Sequence, residues 1–209
     1  MTTGEREPQA FEAVVLAAGA GSRFGGGKLL APFGDGVLLD GALAAAFAAP
    51  VSRVLLVTGA DAGRVVAAAQ AFAAGRGEAG RLWLVHAPAH GDGMGASLAA
   101  AARALSDAAA GAFIFLGDMP RVPPGIAERL ARAVLAGAPA AAPAFGGHRG
   151  HPVLVGQGLF ARLRQAAGDE GLRGALAELG ERLALIEAPD DGVLFDVDTP
   201  DDLRRGRTP

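Results

Sequence analysis

Apolar, β-prone runs alternate with alanine-rich helical runs along most of the chain, and no other feature constrains the fold as much. Phe11 to Ala17 reads as a strand, Leu38 to Ala49 as a helix and Arg53 to Thr58 as a second strand. Gly63 to Ala74 (helix), Arg81 to His86 (strand), Met94 to Ala108 (helix), Ala112 to Leu116 (strand) and Pro124 to Ala136 (helix) continue the pattern. Strands alternating with helices build βαβ units and a parallel sheet. The right-handed crossover rule then sets helices on both faces, which gives a three-layer α/β fold. After Gly137 the rhythm changes. Ala140 to Pro143 and Pro152 to Val155 read as short strands around a turn rich in Gly and His, followed by helices at Leu159 to Ala167 and Leu172 to Leu179 and a strand at Leu183 to Ala188. Thr199 is a natural N-cap for a closing helix that starts at Pro200.

Composition narrows the function classes. A chain of 209 residues without an evident linker is expected to form one domain, 1–209. Its 51% hydrophobic content supplies a core, built mainly from small aliphatic side chains. The net charge is −3 and no run of Lys or Arg stands out, so a nucleic-acid partner is not expected. The absence of cysteine excludes a Cys nucleophile, iron–sulfur clusters and Cys-type zinc sites, and fits a reducing cytoplasm. The longest apolar run, Val37 to Ala49, is too short to cross a bilayer, and the polar, acid-containing Met1 to Gln9 is unlike a signal peptide.

The most informative segment, Leu16-Ala17-Ala18-Gly19-Ala20-Gly21-Ser22-Arg23-Phe24-Gly25-Gly26-Gly27-Lys28, follows the first strand directly. Ligands of open α/β sheets sit outside the carboxyl ends of the strands. Glycines let backbone N–H groups approach a phosphate, and Arg23 and Lys28 can neutralise a triphosphate. A Walker A loop fails here, because Ser22 stands where its first glycine belongs and Leu29 follows the lysine. A dinucleotide fingerprint fails too, with Phe24 in place of the third glycine and no acidic residue closing the next strand at Thr58. A nucleotidyltransferase loop, A-A-G-x-x-x-R-[FM]-G followed by Lys, fits at every position; a flexible glycine-rich turn is the plain alternative.

Two acidic segments complement the loop. Gly117-Asp118-Met119-Pro120 follows the strand ending at Leu116, which sets Asp118 at the ligand edge of the sheet. Magnesium is held by one or two carboxylates plus substrate phosphates, a role that suits Asp118; a turn or N-cap aspartate is the competing explanation. In Phe195-Asp196-Val197-Asp198-Thr199-Pro200-Asp201-Asp202, an extended backbone points Asp196 and Asp198 the same way. Asp198 is the better second metal ligand, while Asp201 and Asp202 favour the positive end of the last helix.

Taken in order, A-A-G-A-G-S-R-F-G-G-G-K, G-D-M-P, G-H-P-V-L-V and D-V-D-T-P-D-D-L resemble the MobA-like nucleotidyltransferases, and within them the molybdenum cofactor cytidylyltransferase branch. The likeness runs from about Val14 to Leu203. It implies a Rossmann-like sheet with a mixed C-terminal extension, a nucleotide-binding half at about 11–136 and an acceptor-binding half at about 137–205. It implies transfer of CMP from CTP to the terminal phosphate of molybdopterin with release of pyrophosphate. By motif match, Leu16, Ala17, Ala18 and Gly19 hold the nucleotide together with Gly59 and Ser97. Arg23 and Lys28 hold the triphosphate and, with Asp118, form the catalytic set. Asp118 and Asp198 bind Mg2+. Ala at position 18 accompanies CTP use, where Gly is usual in the GTP-using branch. Phe24 replaces a usual Met, and Gly25 to Gly27 soften the loop.

Weaker expectations follow from the same resemblance. Gly91-Asp92-Gly93-Met94-Gly95-Ala96-Ser97 opens a helix whose family counterpart contacts the nucleotide; a plain helix start is the alternative. Arg149 and His151 lie where the acceptor should bind, with solvated turn residues as the alternative for Arg149. Asp169 is the one plausible ligand contact in Gly168 to Arg173. His86 and His90 are assigned a structural role. Other functions on the same scaffold are a guanylyltransferase, an NAD(P)H-dependent oxidoreductase of nicotine-blue type, a sugar-nucleotide synthase, and a carrier that delivers cofactor to a molybdenum hydroxylase apoenzyme.

Overall fold

The computed structural model describes residues 10–168 and 171–206. Met1 to Gln9 and Asp169, for which expectations were set out above, lie outside the described residues. In chain order the elements are β1 (Phe11–Ala17), β2 (Pro32–Phe33), β3 (Gly36–Val37), α1 (Leu38–Ala48), β4 (Val51–Thr58), α2 (Ala62–Gly75), β5 (Leu82–His86), α3 (Met94–Ala104), β6 (Gly111–Leu116) and α4 (Ile126–Leu135). They continue with β7 (Ala140–Phe145), β8 (His148–Arg149), β9 (Val153–Gly156), α5 (Phe160–Leu163), α6 (Arg173–Ala177), β10 (Leu183–Glu187) and α7 (Pro200–Arg205).

The main sheet runs β10-β7-β9-β6-β1-β4-β5, with β8 paired to β7. β5, β4, β1 and β6 are mutually parallel, β9 is antiparallel to both β6 and β7, and β10 is parallel to β7. The result is the expected Rossmann-like, mostly parallel sheet with a mixed C-terminal extension.

Strand alternation sorts the helices into two layers, because successive side chains point to opposite faces. Ala13, Val15 and Ala17 of β1, with Leu56 of β4 and Phe113 and Phe115 of β6, pack under α1, α2 and α4. Val14, Leu55 and Ile114 face the other way, against α3, α5 and α6. The helices meet these faces through small residues at helical spacing, such as Val65, Ala69 and Ala73 on α2. Among the described residues, no helix is long and apolar enough to cross a membrane.

The elements depart from expectation at several boundaries, two of them for a clear tertiary reason; α4 and α6 are shorter at both ends, and β7 runs on to Phe145. Helix α3 stops at Ala104, not Ala108. Arg53 donates to the Ala104 carbonyl at 2.9 Å, and the Ser106 amide donates to Glu12 at 3.3 Å, so a buried ion pair captures the helix end. The helix expected at Leu159 to Ala167 is only α5, because the chain turns away to let the Gly168 carbonyl accept from Gly95 N at 2.8 Å. Pro32 to Val37, left unassigned above, forms the small β2–β3 hairpin.

Candidate active site

The parallel strands end together at one edge of the sheet, and two loops are stitched to each other there. Gly117 N donates to the Leu16 carbonyl at 2.9 Å, and a Cβ at Gly117 would stand 3.0 Å from that oxygen. The strand-to-loop turn after β6 can therefore lie directly against the end of β1. On its other side, the Asp118 carbonyl accepts from Val197 N at 3.1 Å. This bond fixes the C-terminal acidic segment beside the Asp118 loop.

The glycine-rich loop takes a defined shape. Gly25, Gly26 and Gly27 all have positive φ, at 90°, 94° and 62°, a region that L side chains disfavour. These three glycines are thus demanded by the backbone path, beyond the softness expected of them. The N–H groups of Phe24 and Gly26 donate to the Gly21 carbonyl and that of Gly25 to Ser22, so they serve the loop's own turn and not an anion. Phe24 packs with Phe33, Leu38, Phe195, Val197 and Leu203, which anchors the loop to the C-terminal segment.

That anchoring brings the charged residues together. Lys28 Nζ donates to Asp118 Oδ2 at 2.7 Å and to Asp198 Oδ1 at 3.2 Å, while Arg23 donates to Asp198 Oδ2 at 2.6 Å. Lys28 is the inner cation, with 13% of its side chain exposed, and Arg23 the outer one at 78%. Burial alone would lower the Lys28 pKa; the Asp118 charge and the hydrogen bonds to both carboxylates outweigh it and hold the ammonium above its ordinary value. Asp196 is not part of this bridge. Burial, then the neighbouring Asp198 and Asp118 charges, push its carboxyl above the usual range. Asp202 instead caps α7, accepting from Thr199 Oγ1 at 2.7 Å and from Thr199 N at 2.8 Å.

A cleft of about 410 Å³ opens beside these charges. Leu16, Ala18, Gly19, Arg23, Ser97 and Asp118 line it, together with His90, Gly91 and Met94. Lys28 lines an adjoining crevice with Gly19, Ala20 and Gly27. The Ala17 side chain turns into the core, so only its backbone belongs to this edge. Gly59 lies behind the cleft, where an added Cβ would stand 2.4 Å from His90 Cγ and 2.7 Å from the Ala18 carbonyl oxygen. His90, assigned only a structural role from the sequence, is part of the lining. The signal for it was positional: it sits in the loop after β5, at the carboxyl end of a parallel strand.

Arg149 is exposed on β8. His151 is half-buried, with Nδ1 3.4 Å from the Ile114 carbonyl at the end of β6, and burial lowers its pKa. Both lie on the side of the sheet edge toward the C-terminal half.

Among the described residues, no three His, Asp or Glu side chains form a ready metal cage. Asp118 and Asp198 nevertheless converge on one cation, the Lys28 ammonium. Two carboxylates that share a cation fit a divalent ion whose other ligands are substrate phosphates.

Comparison with known proteins places the chain in a family. The family model for the MobA-like NTP transferase domain matches residues 13–183. The chain is 28% identical over 194 residues to the molybdenum cofactor cytidylyltransferase of Escherichia coli (strain K12), covering 93% of this chain and 94% of that protein. Among solved structures it resembles the homologue of Mycobacterium tuberculosis Rv0371c from Mycobacterium sp. strain JC1, with a TM-score of 0.78, 31% identity and 93% of each chain covered. It also resembles Rv0371c of M. tuberculosis H37Rv in complex with manganese, with a TM-score of 0.76 and 25% identity over 96% of this chain and 99% of that one.

Proposed function

The chain belongs to the MobA-like NTP transferase family, and from that premise we propose that it transfers CMP from CTP to the terminal phosphate of molybdopterin, releasing pyrophosphate. The observation that carries the transfer is the bridge from Lys28 to Asp118 and Asp198 at the mouth of the Ala18–Gly19 cleft. The choice of CTP and molybdopterin rests on the similarity to the E. coli cytidylyltransferase and on alanine at position 18.

Nucleotidyl transfer needs positioning and charge neutralisation more than covalent help from the protein. An oxygen of the acceptor phosphate bonds to the α-phosphorus as the bond to the α,β-bridging oxygen breaks. That oxygen departs with pyrophosphate. The attacking group is already an anion, so no general base is required. Arg23 and Lys28 would hold the β- and γ-phosphates and stabilise the charge that grows on the leaving group. Asp118 and Asp198 would hold Mg2+, which supplies Lewis-acid neutralisation at the α-phosphate. Arg149 and His151 would orient the acceptor from the C-terminal half, and a molybdenum hydroxylase apoenzyme would receive the product.

The test is incubation with molybdopterin, magnesium chloride and each of CTP, GTP, UTP and ATP, with pyrophosphate measured and the product weighed by mass spectrometry. Pyrophosphate and a cytosine dinucleotide with CTP alone are expected. Release with GTP alone would keep the transfer and change the base, and no release with any triphosphate would refute the assignment.

A further inference from the structure

The cleft has two chemically distinct ends. Asp118, joined to Arg23 through Lys28 and Asp198, follows β6, and His90 follows β5; β1 and β4 lie between these two strands, so the charges mark one end and His90 the other. If the triphosphate lies with Arg23 and Lys28, the nucleobase lies at the end that His90 lines.

His90 is held there firmly. Its backbone N–H and its ring Nδ1 both approach the Ala87 carbonyl, at 3.1 Å and 3.0 Å. The ring lies over Gly59, at the end of β4, where any side chain would collide with it. The Ala18 carbonyl, on the neighbouring β1 loop, accepts from Ala60 N at 3.1 Å, so the ring, Gly59 and the nucleotide loop form one packed unit.

The hydrogen bond to Ala87 also settles the chemistry of the ring. A carbonyl only accepts, so in the neutral imidazole the proton is on Nδ1 and Nε2 is left with its lone pair. Among the described residues no group bonds Nε2, and no buried side-chain nitrogen or oxygen lacks a partner. Nε2 is therefore open to solvent, on a residue that lines the cleft. Ser97 Oγ is in the same position: its residue is buried, its hydroxyl has no partner among the described residues, and it too lines the cleft. A hydroxyl donates or accepts, so the selective atom at this end is the Nε2 acceptor.

We propose that His90 reads the base, its Nε2 accepting a hydrogen bond from the exocyclic amine of cytosine and opposing the carbonyl oxygen that uracil presents at the same place. The inference rests on the CTP reading above and adds a specificity residue to it. Guanine also carries amine donors, so His90 separates cytosine from uracil and leaves exclusion of purines to the size of the cleft. Loss of one such bond, with a lone pair facing a lone pair instead, corresponds to about tenfold in affinity.

Isothermal titration in magnesium chloride with CTP, UTP, GTP and the triphosphate of 2-pyrimidinone riboside, which lacks the amine, tests this directly. The wild-type protein is expected to bind CTP about tenfold more tightly than UTP or the amine-free analogue. His90→Phe, which keeps a ring against Gly59 but has no acceptor, should bring the three within about twofold. His90→Gln, whose Oε1 can replace the Nε2 acceptor, should restore the preference. Equal binding of CTP and the amine-free analogue by the wild-type protein overturns the proposal without any variant. A preference for CTP that survives in a folded His90→Phe protein also overturns it, and leaves the cytidylyltransferase reading standing. Tight binding of GTP alone overturns both.

Discussion

Glu12 is a carboxylate in the second position of the central strand, 3% exposed, and among the described residues its only cationic partner is Arg53 on the neighbouring strand. The guanidinium reaches both carboxylate oxygens, at 2.9 Å and 3.1 Å, spends another N–H on the Ala104 carbonyl and lies 4.8 Å from the centre of the Trp83 ring. Replacing Arg53 by Met keeps an apolar stem against Trp83 and strands the carboxylate. Breaking a buried pair from one side costs about 3–5 kcal/mol, since the surviving charge cannot reach water. At about 2–4 °C per kcal/mol for a chain of this size, Tm should fall by about 6–20 °C. Glu12→Gln should cost less, about 1–3 kcal/mol, because the Arg53 side chain is 20% exposed and keeps the Ala104 carbonyl and water as partners. Urea unfolding of both variants gives the stabilities. Titration with CTP well below Tm should show unchanged nucleotide affinity, because the pair sits at the end of the sheet opposite the cleft. A loss below about 1 kcal/mol in Arg53→Met, or a larger loss in Glu12→Gln, would refute the account of a charge trapped in the sheet.

Asp118→Ala should nearly abolish pyrophosphate release while leaving the circular dichroism spectrum unchanged; wild-type-like turnover would remove Asp118 from the chemistry. Gly26→Ala forces a side chain into a left-handed backbone region, which costs about 1–2 kcal/mol and should weaken CTP binding about five- to thirtyfold by titration calorimetry. The hydrogen bond from the Thr199 hydroxyl, with those from backbone N–H groups, lowers the Asp202 pKa to about 2. Its stabilising effect should be complete above the ordinary carboxylate pKa of about 3.9 and fade as pH falls toward 2. The difference in urea midpoint between wild type and Asp202→Asn should therefore be constant from neutral pH down to that value and close below it; a constant difference down to pH 2 would contradict the capping role.

The sheet was legible because its signals are local. Phe11 to Ala17 is apolar but for Glu12, Ala112 to Leu116 is an apolar run bounded by Gly111 and Gly117, and α2 carries Val65, Ala69 and Ala73 on one face. The α7 N-cap could be read from Thr199-Pro200 and is present with a capping box. What could not be read depended on partners distant in sequence. The end of α3 is set by Glu12 and Arg53, and a lone Glu in an apolar strand gives no hint of its arginine. The loop glycines advertised flexibility, yet their positive φ values belong to one path that presents Lys28 to residues 90 and 170 positions away. His90 could not be read from its neighbours in sequence, because its place in the cleft comes from the sheet, which gathers the loops that follow β1, β4, β5 and β6 at one edge.

Strand β9 carries a consequence for how the protein is made. It lies between β6 and β7, both of which precede it in the chain. During synthesis those two strands emerge with a vacant slot between them, and the four residues that fill it arrive only after the β8 turn. At about 5–20 residues per second, the slot stays open for roughly one second after β7 is complete. In that interval two unpaired apolar edges await the same short ribbon, and a second nascent chain could supply it. His151 and Pro152 immediately precede that ribbon, so the segment assigned to the acceptor is also the one whose timely arrival closes the sheet.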